Sequence, residues 1–367
     1  MFGQTSAIRA DAPEPRQLFS KWTCRVTTRA ILGWDVGGAN LKVARIDDDR
    51  SRPPEIGEWA FPLWRDPARL APMLVGAADK MGPASAMALT MTAELADCFQ
   101  TKRDGVSFVL DAFESSFPDT EIGVYGVDGR FRSVQSARDL PHEIAAANWM
   151  ASATFVSRIF PDALFIDVGS TTTDVIPIVG GRVVAAGKTD PDRLSTGELI
   201  YTGLLRTPVC AIVQSVPYSD GNCRVAAELF ANTADVYRWL GRIQDEDYTC
   251  ETADGRGRTR TEAGVRLARV ICADSEMLNP DGITTIARHV AKVQADQIQQ
   301  GILQVTARLG SANPKTAVLA GKGAFLAREA AEDAGLTCVN VADQFGDSVS
   351  LVTPAAAVAY LFAEGRV

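Results

Sequence analysis

A thirteen-residue pattern repeats in this chain without a gap. Trp34 to Ile46, WDVGGANLKVARI, lies over Ile166 to Ile178, IDVGSTTTDVIPI, residue for residue. The Asp-Val-Gly triplet coincides, as do Val43 with Val175 and Ile46 with Ile178. Each copy reads as an apolar strand, a polar turn and a second apolar strand. Copies this far apart are too distant for a solenoid and imply two similar lobes, each lending one turn to a shared cleft.

The residue types in the turns suggest what they hold. In the second copy a buried strand, Ala163 to Val168, stops at Gly169, and an apolar run resumes over Val175 to Val179. Asp167 stands where the first strand ends, Gly169 lets the backbone approach a ligand, and Ser170, Thr171, Thr172 and Thr173 offer donors in one concavity. In the first copy the strand Ile31 to Val36 turns at Gly37, Gly38, Ala39 and Asn40 and returns along Leu41 to Ile46. Donors beside a carboxylate suit a phosphate chain carrying Mg²⁺. One Asp-Val-Gly hairpin alone is usually just a hairpin; the repetition carries the phosphate reading.

Composition bounds the rest. At about 150 residues per domain, 367 residues make two domains. A hydrophobic fraction of 46% is that of a soluble globular protein, and no window approaches the ~18 unbroken apolar residues of a membrane helix. A net charge of −8 disfavours nucleic acid, so an anionic substrate needs local lysines, arginines, N–H donors or a metal. The seven cysteines contain no C-x-x-C pair and only His142 and His289 are available to join them, which reads as reduced thiols in a cytoplasmic protein and not as a zinc site. Residues 1–29 carry five basic residues but no apolar centre, and read as a loosely ordered tail.

Along the first lobe, residues 30–160 completed by 350–367, the pattern predicts a third strand over Trp59 to Trp64, a helix over Pro67 to Lys80, a buried strand over Ala84 to Thr90, a helix over Ser107 to Phe117 and another over Pro141 to Arg158. TMTAELADCF, Thr90 to Phe99, follows the buried strand; Glu94 and Asp97 either reach the cleft or sit in the first turns of a helix, where its dipole favours them. The second lobe, 161–349, has a strand over Arg182 to Ala186 and then GKTDPDRLSTGELIYTGLLRTPV, Gly187 to Val209. Ser195-Thr196-Gly197-Glu198 has a capping-box pattern and predicts a helix start there, with Glu198 folded back on its own cap. Lys188, Asp190, Asp192, Arg193 and Arg206 are a mixture of charge that lines either a loop or the cleft. An insertion around 210–282 holds a helix over Val225 to Leu240 and a polar loop or lid from Asp245 to Arg260. A long helix over Ile283 to Leu309 precedes a strand, Thr316 to Ala320, the turn Gly321-Lys322-Gly323, and a helix, which is either an ordinary βα connection or a place for an adenine nucleotide.

The two Asp-Val-Gly turns, the GKG turn and their order resemble the phosphate and adenosine elements of the actin, sugar kinase and acetate kinase superfamily. Within it, MTAELAD and TDPDRLSTGELIYTGLLRTPV are similar to the hydantoinase/oxoprolinase family, more narrowly to its short members linked to tetrahydromethanopterin one-carbon metabolism and methanofuran biosynthesis. That resemblance implies an α/β fold of duplicated ribonuclease-H-like lobes with an interlobe cleft. It implies a transferase that joins γ-glutamyltyramine to an aminomethylfuran-methanol diphosphate and releases diphosphate. Asp35 and Asp167 are then assigned to the metal or its waters, and Gly37, Gly38, Asn40, Gly169, Ser170, Thr171 and Thr172 to phosphate oxygens, with Lys42 or Lys188 offsetting charge. Glu94 is the candidate base, and Asp192, Arg193, Glu198 and Arg206 the substrate-binding set. The GKG turn departs from the richer glycine turn of the kinases, which leaves the use of ATP open. An ATP-dependent kinase or amidohydrolase in the same cleft, and a non-catalytic nucleotide-binding assembly protein, remain as alternatives. Either enzyme acts on phosphate-bearing small molecules, with no nucleic acid or membrane partner, and is compatible with a homo-oligomer.

Overall fold

Strand pairing follows the repeat. The computed structural model describes residues 30–47, 54–341 and 354–365; the expected tail, residues 1–29, lies outside them. The chain divides into two compact units, one of Met1–Pro161 with Ser350–Val367 and one of Asp162–Val349.

In the first unit β1 (Ile31–Val36) pairs antiparallel with β2 (Asn40–Ile46), and β2 with β3 (Glu55–Ala60). On its other edge β1 runs parallel to β4 (Ala86–Met91), which runs parallel to β5 (Glu121–Tyr125), and a short β6 (Phe131–Arg132) ends the sheet. Alternation sends Leu32, Trp34 and Val36 into a core that includes Leu70, Leu74 and Ala77 of the Leu70–Met81 helix and Val106, Val109 and Phe113 of the Lys102–Ser116 helix. The opposite face is built of small residues, and the Pro354–Gly365 helix lies directly on it: a Cβ on Gly33 would overlap the Ala355 carbonyl, and one on Gly123 the Phe362 ring.

The second unit repeats the scheme. β7 (Ala163–Val168) pairs antiparallel with β8 (Thr173–Val179), and the place of a third strand is shared by β9 (Arg182–Val183) at one end of β8 and β10 (Leu199–Ile200) at the other. After a separate hairpin, β11 (Ser215–Tyr218) with β12 (Gly221–Arg224), the sheet resumes: β13 (Thr316–Ala320) runs parallel to β7, and β14 (Thr337–Asn340) parallel to β13. The order β3-β2-β1-β4-β5 is thus matched by β10-β8-β7-β13-β14, which is the duplicated ribonuclease-H-like α/β architecture. The Pro280–Leu309 and Ala324–Asp333 helices bury Ile298, Ile302, Val305, Leu326 and Ala330 against this sheet. Residues from Val209 to Val290 form a satellite core of their own, which includes Trp239, Leu267 and Ile286.

Several expected elements differ. The third strand is Glu55–Ala60, upstream of the expected Trp59–Trp64, because Pro62 has no N–H for a ladder. The expected helix Pro141–Arg158 is two helices, Pro141–Ile144 and Asn148–Ser157, separated at Ala146, whose φ is 52°. The expected helix Val225–Leu240 is only Thr233–Trp239, started by the capping box of Asn232 and Asp235. The strand after the second turn stops at Val183. The capping box at Ser195–Glu198 is not used. The helix there is Asp190–Thr196, capped by Thr189 and Asp192 with a proline in its first turn, and it ends where the supposed cap stood, at Gly197 with φ of 75°.

Candidate functional site

The two repeated turns are closed by the same bond. The Gly37 N–H donates to the Asn40 carbonyl at 2.9 Å, and the Gly169 N–H donates to the Thr172 carbonyl at 2.9 Å. A strap then ties down the turn carbonyls in each unit. Phe61 and Leu63 donate to the carbonyls of Ala39 and Gly38, and Leu204 donates to Gly169 while Leu205 and Arg206 donate to Ser170. Gly203 makes the second strap fit, since a Cβ on it would stand 2.6 Å from the Thr171 backbone. The straps thus fix the turn carbonyls, while the Gly37 and Gly169 N–H groups are spent on closing the turns. The approach is open at Gly38, where a Cβ would meet nothing within 4 Å.

In the first unit the strand register lines up a polar row across four strands: Glu58 opposite Lys42, Lys42 opposite Asp35, and Asp35 opposite Thr90. Asp35 is 6% exposed. Burial pushes its carboxyl above the usual carboxylate range, the Lys42 ammonium pulls it back, and Glu58 pushes it further up. Its Oδ1 and the Thr90 Oγ1 find no hydrogen-bond partner among the described residues. Beyond β4 the Thr92 N–H donates to the Val36 carbonyl at 2.9 Å, so the TMTAE segment stays beside the first turn. Glu94 lies in that segment, eight residues before the Lys102–Ser116 helix, which removes the reading that places it in a helix's first turn. Its carboxylate is buried, with the Lys102 Nζ 3.4 Å away. Gly105 permits this, because a Cβ there would overlap the Glu94 backbone.

In the second unit Asp167 is half-buried opposite Asp174 on β8 and Ala320 on β13. The GKG turn closes over it. Gly321 has φ of 81°, a Cβ there would overlap Asp167 Oδ1, and the Gly323 N–H donates to the Val168 carbonyl at 3.0 Å. The strand register therefore brings Gly321, Lys322 and Gly323 to the same strand ends as Asp167 and the Gly169–Thr172 turn. Arg193 is turned inward, 2% exposed, and holds Asp174 at 2.5 Å. Burial still raises the Asp174 carboxyl, with Arg193 opposing. Glu198 is fully buried; it accepts from the N–H groups of Ala186 and Gly187 at 2.7 and 2.8 Å, from Thr196 Oγ1, and from Arg308 at 2.7 Å. Glu198 is thus no cap of its own helix but the clamp of the loop before Lys188, which is exposed, as is Arg206. Asp192 is also exposed and held low by its hydrogen bonds from Thr189.

Two residues escaped the sequence reading. Asp174 was detectable, because it occupies the position of Lys42 in the overlaid repeats and so inverts a charge. Thr90 was not, because its pairing with Asp35 is a matter of register between distant strands. Among the described residues no group of three or more His, Cys, Asp or Glu is placed to hold a metal ion, and no helix is long and apolar enough to cross a membrane.

The strand order of the two units and their paired turns define the actin-like ATPase and sugar kinase fold. The chain belongs to the hydantoinase/oxoprolinase family, whose profile matches residues 85–364. It is 36% identical over 332 residues to the (4-{4-[2-(γ-L-glutamylamino)ethyl]phenoxymethyl}furan-2-yl)methanamine synthase of Methanocaldococcus jannaschii, covering 90% of this chain and 97% of that protein. It is 33% identical over 214 residues to the synthase of the same name from Methanococcus vannielii, covering 57% of this chain and 95% of that protein. Among solved structures, nucleotide-free acetone carboxylase superposes with a TM-score of 0.51 at 10% identity, over 90% of this chain and 70% of that one, which is a likeness of fold.

Proposed function

We propose that this chain is a synthase of the same ether, acting in methanofuran biosynthesis. The observation that carries the reading is the 36% identity to the Methanocaldococcus jannaschii synthase over nearly the full length of both proteins. In the proposed reaction the phenol oxygen of γ-glutamyltyramine forms a bond to the CH₂ of an aminomethylfuran-methanol diphosphate. The bond from that carbon to the diphosphate oxygen breaks, diphosphate leaves with the electron pair, and the phenol proton goes to a base.

Glu94 takes the proton in this scheme, as a buried carboxylate beside the first turn. Within each turn the Gly37 or Gly169 N–H closes the loop and gives the backbone room to approach; Gly38 and the Asn40 side chain in the first unit, and Ser170, Thr171 and Thr172 in the second, bind phosphate oxygens, with Lys42 and Lys188 offsetting charge. Arg206, exposed beside the second turn, meets the anionic end of a substrate. Arg193, Asp192 and Glu198 hold the surrounding loop in place without touching substrate. The residues fit Mg²⁺: a buried Asp35 oxygen has no hydrogen-bond partner among the described residues, and Mg²⁺ bound through one carboxylate completes its shell with waters and phosphate oxygens. Asp35 in the first unit, or Asp167 in the second, would hold it, and it would supply charge neutralisation to the departing diphosphate.

The test is incubation with γ-glutamyltyramine, the furfuryl diphosphate and Mg²⁺, with mass analysis for the ether and for diphosphate. Stoichiometric ADP from added ATP, with no ether, would establish the kinase or amidohydrolase alternative instead. Nucleotide binding without turnover would establish the assembly protein. Asp167→Asn is expected to abolish ether formation with an unchanged melting temperature, and unchanged activity would remove Asp167 from the site.

A further inference from the structure

Thr90 has no evident task in the fold. It is fully buried, it is the register partner of Asp35 on the neighbouring parallel strand, and neither its Oγ1 nor Asp35 Oδ1 has a hydrogen-bond partner among the described residues. A buried hydroxyl left this way lowers stability, and an apolar residue of the same shape would avoid the loss. The second unit shows that the position tolerates one: opposite Asp167, the same place in the sheet is Ala320. The fold does not require a hydroxyl here. Side chains of register partners stand about 5 Å apart on one face, a gap that a single oxygen spans with two hydrogen bonds of about 2.8 Å.

We propose that Thr90 is a positioning residue: its hydroxyl and the Asp35 carboxylate together hold one oxygen, a water of a hydrated divalent cation, and so fix the Asp35 oxygen that faces the diphosphate. This rests on the reading of the first turn as a magnesium diphosphate site. In that arrangement Lys42, on the other side of Asp35, meets the phosphate charge, and Thr90 sets the direction in which the carboxylate and its water point. Its contribution is loss of alternatives for the carboxylate, the role that outer partners play around metal ligands.

The experiment uses the full chain as wild type, Thr90→Val, Thr90→Ser and Asp35→Asn, with Mn²⁺ and inorganic diphosphate as the probe. Free Mn²⁺ is followed by electron paramagnetic resonance, and melting temperature is measured with and without the probe. Thr90→Val is expected to raise the ligand-free melting temperature by about 2–4 °C, since it removes a desolvated hydroxyl at nearly constant volume. It is expected to weaken Mn²⁺ binding by about tenfold or more, as losses of such partners do, and Thr90→Ser to stay within about threefold of wild type. The proposal is overturned if Thr90→Val binds Mn²⁺ like wild type, if Thr90→Ser fails as Thr90→Val does, or if Thr90→Val lowers the ligand-free melting temperature. Should the wild type make no ether while Thr90→Val still loses Mn²⁺ binding, the proposed substrate falls and the role of Thr90 stands. Should ether form while Thr90→Val binds Mn²⁺ unchanged, the reverse holds.

Discussion

Replacing Arg193 with methionine tests how the second unit accommodates two carboxylates across one strand pair. Asp174 faces Asp167, where the first unit has Lys42 facing Asp35. The counter-charge comes instead from Arg193, delivered by the Asp190–Thr196 helix that interrupts the third strand. Arg193 is 2% exposed and the Asp174 side chain 14%, with 2.5 Å between them, and Arg193 also donates to the Glu198 carbonyl at 3.1 Å. Removing one partner of a buried pair typically costs about 3–5 kcal/mol, in line with the ~4 kcal/mol of two charges 4 Å apart at an effective dielectric of 20. We therefore expect Arg193→Met to lose about 3–5 kcal/mol at pH 7.

The pH dependence has a defined sign. The folded carboxyl of Asp174 is already raised by burial, and without Arg193 it rises further. A raised folded value means that the folded state binds the proton more tightly than the unfolded chain, so stability increases as pH falls toward the unfolded value near 4. The Arg193→Met deficit should thus be smaller at pH 5 than at pH 7. The assay is urea denaturation of wild type, Arg193→Met, Asp174→Asn and the double variant, with a coupling energy of about 2 kcal/mol or more expected from the cycle. An Arg193→Met variant within about 1 kcal/mol of wild type, or a double variant no more stable than Arg193→Met, would refute the reasoning.

Two further outcomes follow from single contacts. Gly321→Ala combines a positive φ, about 1–2 kcal/mol, with a Cβ overlapping Asp167 and the Val168 carbonyl, about 1–3 kcal/mol more; Gly335→Ala, with φ of 79° and nothing near its Cβ, carries only the first cost, and equal melting temperatures for the two would show that the GKG turn does not press on Asp167. Asp128 is held below the usual carboxylate range chiefly by hydrogen bonds from Arg132 at 2.9 and 2.8 Å, so its contribution is present above about pH 4 and is lost as pH falls through the depressed value. Denaturation between pH 6 and pH 3 should show wild type losing about 0.5–1 kcal/mol more than Arg132→Gln, and parallel curves would contradict the pairing.

The repeat at Trp34–Ile46 and Ile166–Ile178 determined, by itself, two hairpins and their turns, because strand alternation and glycine turns are written within a few residues. Local patterns were less reliable where two of them competed. Both Thr189–Asp192 and Ser195–Glu198 have the chemistry of a helix cap, and only the first is used, because Glu198 is drawn into holding the Ala186–Gly187 loop and Arg308. No window around Glu198 contains Arg308. The same holds for charge: the inward turn of Arg193, the burial of Glu94 beneath Gly105, and the row Glu58, Lys42, Asp35 and Thr90 depend on which strand lies beside which and in what register. Register and charge burial are settled by contacts between residues far apart in the chain, and those energies exist only once the whole sheet has formed.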